Sequence, residues 1–119
     1  MTPEQFSSGL MREIVDANSA IYRELYIKGR PEKSRIPWGR RALTLFHSLQ
    51  PDQQEVLFEI MRQISVDTVS NVLAILDGGS PLKDSFEDYS LTYGGGEKLN
   101  GDLQSLFLAE EEQRPGYNQ

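Results

Sequence analysis

The stretch YGGGEKLNGDL, residues 93–103, holds the residue types of a phosphate-binding loop: glycines, a lysine, then Asn-Gly-Asp ahead of apolar residues. Such a loop needs a strand, glycines that let backbone N–H groups converge, and a lysine and a hydroxyl residue opening a helix. GGGEK lacks the Gly-Lys-Ser/Thr order and no helix follows at once. The G-x-G-x-x-G spacing of a dinucleotide site is missing too. Three glycines between an alternating segment and a polar return fit a hairpin turn, where positive φ is needed. A helix start with Lys98 beside it is an anion site in outline, but Asp102 in that first turn repels an anion. Ordinary N-capping of the last helix by Asn100 is the preferred role.

A second constellation is Asp67, Thr68 and Asn71 in SVDTVSN. At about 100° per residue, Thr68 and Asn71 fall in the middle of an apolar helix face made by Leu57, Ile60, Met61, Ile64, Val72 and Ile75, with Asp67 at its border. Buried polar groups without partners cost roughly 1–3 kcal/mol each, so these three need partners. Bonding inside the core is preferred, since most buried polar groups are satisfied in place. The other two roles are a register-fixing contact with a twin or partner helix, and the lining of a ligand pocket. On the opposite side Val66, Val69 and Leu73 point outward. A helix apolar on two sides is enclosed by its own domain or meets another subunit, which makes a homodimer an expectation.

A third set is the basic run around Trp38, with Arg40 and Arg41 following it. Aromatic plus arginine occurs at protein interfaces and on nucleic-acid surfaces. Trp38 opens an apolar stripe, however, and is expected in the core with the bases solvated around it; a protein-contact surface is the second reading, and nucleic acid or a phospholipid headgroup the third. His47 is the single histidine, which rules out a multi-histidine metal site and gives no Ser-His-Asp set. With no cysteine there is no disulfide, cysteine-zinc site, iron–sulfur cluster or thiol nucleophile. Glu55 and Glu59 lie one turn apart near Arg62 and read as a solvated face, and no EF-hand spacing occurs. No cofactor and no metal site is expected, and the missing catalytic sets weigh against an enzyme.

The elements that carry these residues follow from period and punctuation. Thr2, Pro3 and Gln5 form a helix start, and Phe6, Leu10, Ile14, Ala17, Ile21 and Leu25 make one stripe, giving a helix over 3–28 that Gly29 ends in the left-handed conformation. Pro31 and Pro37 bar helix across a basic linker at 28–37. Helices at 37–49 and 51–77 follow, each opened by proline. Tyr89, Leu91 and Tyr93 alternate with polar residues in FEDYSLTY, the period of a half-buried strand. Leu103, Leu106 and Phe107 mark a short last helix, and 113–119 reads as a flexible tail. The expected fold is therefore mainly α, a single domain over 1–119: a three-helix core with a C-terminal β-hairpin or single strand and a short last helix.

Charge is divided along the chain. Of the net −6, residues 28–51 carry +5 and residues 52–119 carry −9. The acidic body repels nucleic acid and attracts basic partners at long range. The N-terminal residues carry acids early and lack the continuous apolar run of a signal peptide, and nothing approaches the roughly 18 apolar residues of a membrane span. A reducing cytoplasm fits a cysteine-free chain best, although export is compatible with it.

The run VDTVSNVLAILDG, with the alternating segment, the glycine turn and KLNGDLQSLFL, resembles a small bacterial family of uncharacterised domains across about residues 38–112. The resemblance implies a bacterial, cytoplasmic, α-rich single domain and no activity. By class analogy, small acidic proteins of that kind include antitoxins and immunity proteins that neutralise basic toxins. The functional expectation is a non-enzymatic protein-interaction module; the alternative is a small-ligand-binding protein or enzyme with its pocket at Asp67, Thr68 and Asn71.

Overall fold

The computed structural model describes residues 1–84 and 87–117. It is mainly helical: α1 (Pro3–Leu10), a π-helical turn (Met11–Asp16), α2 (Ala17–Lys28), a 3₁₀ turn (Pro31–Lys33), α3 (Pro37–Ser48), α4 (Pro51–Leu76) and α5 (Leu103–Glu112). Prolines sit at the first positions of α1, α3 and α4, where their missing N–H has no partner to lose. The Thr2 hydroxyl accepts from the Gln5 N–H and the Gln5 side chain accepts from the Thr2 N–H, a closed capping box.

α1, the π turn and α2 form one continuous rod that runs antiparallel to α4. The π turn alters which residues face inward. One inserted residue rotates everything after it by about 100°. Met11, Val15 and Tyr26 are buried, and the stripe expected from the sequence leaves the core after Leu10: Ile14, Ile21 and Leu25 are exposed. Gly29 ends the rod in extended conformation (φ −66°, ψ 151°), not the left-handed one expected. It is glycine for space, since a Cβ there would lie 2.5 Å from the Leu25 carbonyl oxygen and 2.8 Å from a Leu43 methyl.

α4, about 39 Å long at its 26 residues, spans two separate apolar clusters. The larger holds Met11, Val15, Val66, Leu73, Leu103 and Phe107, where α1, α4 and α5 meet. The smaller holds Tyr26, Leu43 and Phe46, where α2 and α3 meet the start of α4. The chain is drawn out along this axis, 50 × 34 × 25 Å, with a radius of gyration of 17.7 Å. A compact chain of this length has a radius near 13.5 Å by the usual scaling, ~2.2·N^0.38.

The expected C-terminal strand or hairpin is absent. Among the described residues no strand forms, and antiparallel pairing is limited to one bridge between Thr92 and Lys98. Phe86 of the expected strand lies outside the described residues. The glycine turn does form: Gly94 and Gly95 take φ of 58° and 75°, and the Gly96 N–H donates to the Tyr93 carbonyl at 2.9 Å. The pairing stops there because a side chain takes the place of a second strand. The Asn100 Oδ1 accepts from the Leu91 N–H at 2.8 Å, and its Nδ2 donates to the Tyr89 carbonyl at 2.9 Å and to the Leu76 carbonyl. Ladder groups are thereby satisfied without a ladder.

Of the tail expected at 113–119, residues 118 and 119 lie outside the described residues. The rest turns back: Arg114 pairs with Glu111 at 3.0 Å, and its guanidinium lies 5.9 Å from the Tyr117 ring centre.

Candidate functional site

The start of α5 is the one place where the sequence offers an anion site, and the structure fills it from within. The Asp77 carboxylate accepts from the N–H groups of Gly101 at 2.6 Å, Leu103 at 3.1 Å and Gln104 at 2.8 Å. These are the free donors an external phosphate would need. Asn100 therefore does not cap α5; it is buried and holds the preceding backbone, while Lys98 is exposed on the single bridge. The reason is reach: Asp77 ends α4 next to the start of α5, whereas Asn100 points toward Leu91. The sequence held one signal for this. An acid at a helix C-terminus faces the negative end of the dipole, so Asp77 calls for a donor set elsewhere.

On α4 the two faces are exchanged relative to expectation. Val66 and Leu73 are buried in the larger cluster and Val69 packs against it, because α1 and α5 lie on their side. Asp67, Thr68 and Asn71 are exposed, as are Ile60, Ile64 and Val72. The polar trio is thus not an internal hydrogen-bonding set. The buried polar residue of this stretch is Ser70, whose hydroxyl accepts from Gln104 at 3.1 Å. Both faces of α4 are apolar, so burial went to whichever side the neighbouring helices reached.

Two grooves flank α4. One, ≈ 280 Å³, lies between α2 and α4 and is lined in part by Tyr22, Arg23, Phe58, Arg62 and Ser65. The other, ≈ 370 Å³, lies toward α5 with Asp67, Glu111 and Tyr117 among its walls. Thr68 and Asn71 line neither. Arg62 stands between the grooves and is already paired: its Nη1 meets Asp16 at 2.9 Å, its Nη2 meets Glu111 at 2.9 Å, and its Nε donates to both Glu111 oxygens at 3.2 Å. Burial works against the Arg62 charge, but the hydrogen bonds to Glu111 and Asp16 outweigh it and hold its pKa above the ordinary value. The network ties three helical segments together and engages the Arg62 guanidinium on both sides.

The other resolved shifts share this character. Arg23 is raised and Glu55 lowered by their mutual hydrogen bond, and Glu24 is lowered and Lys28 raised by theirs. Each favours the charged form, the signature of ion pairing and not of a poised acid or base. The His47 Nε2 lies 2.8 Å from the Gly29 carbonyl oxygen, so it donates there and closes the α2–α3 connection. No group of three His, Cys, Asp or Glu side chains comes together to hold a metal among the described residues. No described helix is long and apolar enough to cross a membrane.

At the opposite end Trp38 departs from its expected core position: it is 64% exposed, beside exposed Ile36 and Leu45. Leu43 and Phe46, three residues apart, fill the inner side of α3 instead. Arg40 Nη1 donates to the Ser34 carbonyl at 3.0 Å, and Arg41 is exposed. A shallow depression formed by Pro37, Arg40, Arg41, Thr44 and Leu45 adjoins the tryptophan.

Comparison with known proteins gave no family-model match and no match among curated proteins or solved structures.

Proposed function

We propose that this chain is a non-enzymatic protein-interaction module whose contact surface is the α3 end, centred on Trp38. The observation that carries the reading is the exposed Trp38 among Ile36, Leu45, Arg40 and Arg41. Tryptophan and arginine dominate binding hot spots, because each gains most when a partner removes it from water. The filled α5 start, the paired Arg62 and the ion-pair pattern of the shifted groups all weigh against catalysis. Of the three residues of the alternative ligand site, Asp67 lines the groove toward α5, while Thr68 and Asn71 lie outside both grooves that flank α4.

Charge decides the kind of partner. The net −6 attracts a basic protein from a distance, in keeping with an antitoxin- or immunity-like role in a bacterial cytoplasm. At contact the local charge governs, because salt screens beyond about 8 Å. Around Trp38 that charge is positive, so the patch seated there is acidic, and a basic region of the partner falls on the acidic surface of residues 52–119.

A photo-crosslinking residue in place of Thr44, used in native cells, tests this. The expected result is one dominant protein adduct that Trp38→Ala abolishes while the melting temperature stays unchanged. No adduct, or an adduct indifferent to Trp38→Ala, removes the reading.

A further inference from the structure

α4 carries a second bare surface, on the side away from α1 and α5. Ile60, Ile64 and Val72 are 48%, 60% and 52% exposed, with exposed Thr68 and Asn71 among them and half-buried Ile75 at the end. The strip is about 22 Å long at 1.5 Å per residue, and none of its six side chains is charged. It begins where cover ends, since Leu57 just before it and Met61 beside its first residue pack against the smaller cluster.

The chain as a whole exposes more surface than its mass calls for, enough to leave room for a partner. The chain exposes 8639 Å², whereas a folded monomer of 13.5 kDa exposes about 6,500 Å² by the usual scaling. The excess is about 2,100 Å². Part belongs to residues 78–98, which among the described residues are exposed apart from Leu91. A standard interface takes only about 800 Å² from each partner.

We propose that a second copy of this chain covers the strip, the two α4 helices packing antiparallel about a two-fold axis at Thr68. The strip is nearly symmetric about that residue. Ile64 and Val72 lie four positions to either side, and Ile60 and Ile75 eight and seven. Antiparallel pairing sets each isoleucine of one copy over the valine or isoleucine of the other, the self-complementary contact of a two-fold interface. The two Thr68 hydroxyls meet on the axis, where each donates and accepts, so burial leaves neither unpaired and slippage is penalised. Charge agrees. The basic 28–51 region sits at the N-terminal end of α4, and residues 77–102, with six acids against two bases, leave its C-terminal end. Antiparallel packing brings the basic end of one copy to the acidic end of the other. The strip lies on α4 and Trp38 on α3, so Ile64→Glu tests this proposal without touching the residue that carries the function above, and Trp38→Ala tests that function without touching the strip.

Sedimentation equilibrium of the full chain is expected to give twice 13.5 kDa, weakening as salt rises. Ile64→Glu is expected to shift it to monomer with helical circular dichroism unchanged, because the side chain is outside the core. The chain has no cysteine, so Thr68→Cys with a short bismaleimide is expected to give a covalent dimer and Glu112→Cys, on α5, none. A wild-type monomer, a dimer indifferent to Ile64→Glu, equal crosslinking at the two sites, or protection of the strip only by a different protein overturns the proposal.

Discussion

The two ends of the molecule share one helix and differ in how they are finished. At the α5 end α4 meets two other helices around six buried apolar residues, and three polar fastenings close the seams: Asp77 on the start of α5, Asn100 across the preceding loop, and Arg62 with Asp16 and Glu111. At the α3 end the cluster has three buried members, and Ile21, Leu25, Ile36, Trp38 and Leu45 face outward around it. Stability is therefore concentrated at one end and unsatisfied apolar surface at the other. Locally weak elements are those with few buried contacts, and binding surfaces are commonly drawn from them.

The strongest way to break this contrast is with matched core deletions. Phe107 and Phe46 are equally enclosed phenylalanines at the two ends. Phe107→Ala is expected to cost about 3–5 kcal/mol in urea unfolding, because its cavity opens among three helices that cannot close over it. Phe46→Ala is expected to cost less globally and to speed hydrogen exchange in α3 while α5 stays protected, since its cluster has three buried members against six at the other end. Equal global losses, with exchange rising at both ends together, would show that the ends are one cooperative unit.

A smaller effect sharpens the same contrast. Asp77 supplies acceptors to three N–H groups of the α5 start, and Asp77→Ala is expected to cost about 2–3 kcal/mol, as charge-assisted hydrogen bonds are lost with no replacement. Asp77→Asn keeps one acceptor oxygen and should recover part of that loss. If both variants unfold at the wild-type urea midpoint, the α5 end is held by packing alone.

How much of this was readable follows from where each determinant lies in the chain. The helices at the proline-marked starts were legible because capping and period are local. The π turn was not: no residue type marks it, yet it turned Ile21 and Leu25 outward and Tyr26 inward. The facing of α4 was hidden because Leu57–Ile60–Ile64 and Val66–Leu73 are two apolar sides of comparable weight, and only tertiary position chooses between them. The hairpin failed because Asn100, a side chain, does what backbone pairing was expected to do. Asp77 was hidden by distance, its partners lying 24 to 27 positions away.

The smallest expected effect lies at the weak end, and its sign is fixed. Arg23 on α2 makes a two-pronged contact with Glu55 on α4, and its guanidinium also lies 4.8 Å from the Phe58 ring centre. The hydrogen bond from Arg23 holds the Glu55 carboxyl below its ordinary 4.5; slight burial opposes this and the charge attraction adds to it. A depressed carboxylate contributes stability that is present in full above its unfolded value and is lost as pH falls through the folded one. The melting-temperature advantage of the wild type over Glu55→Gln should therefore be flat above pH 4.5 and shrink below it. Because both groups are about half exposed, salt should reduce the advantage at neutral pH as well. An advantage that grows on acidification would mean the pair repels folding at this end, and the α2–α4 seam would then rest on the apolar packing of Tyr26 with Leu57, Phe58 and Met61.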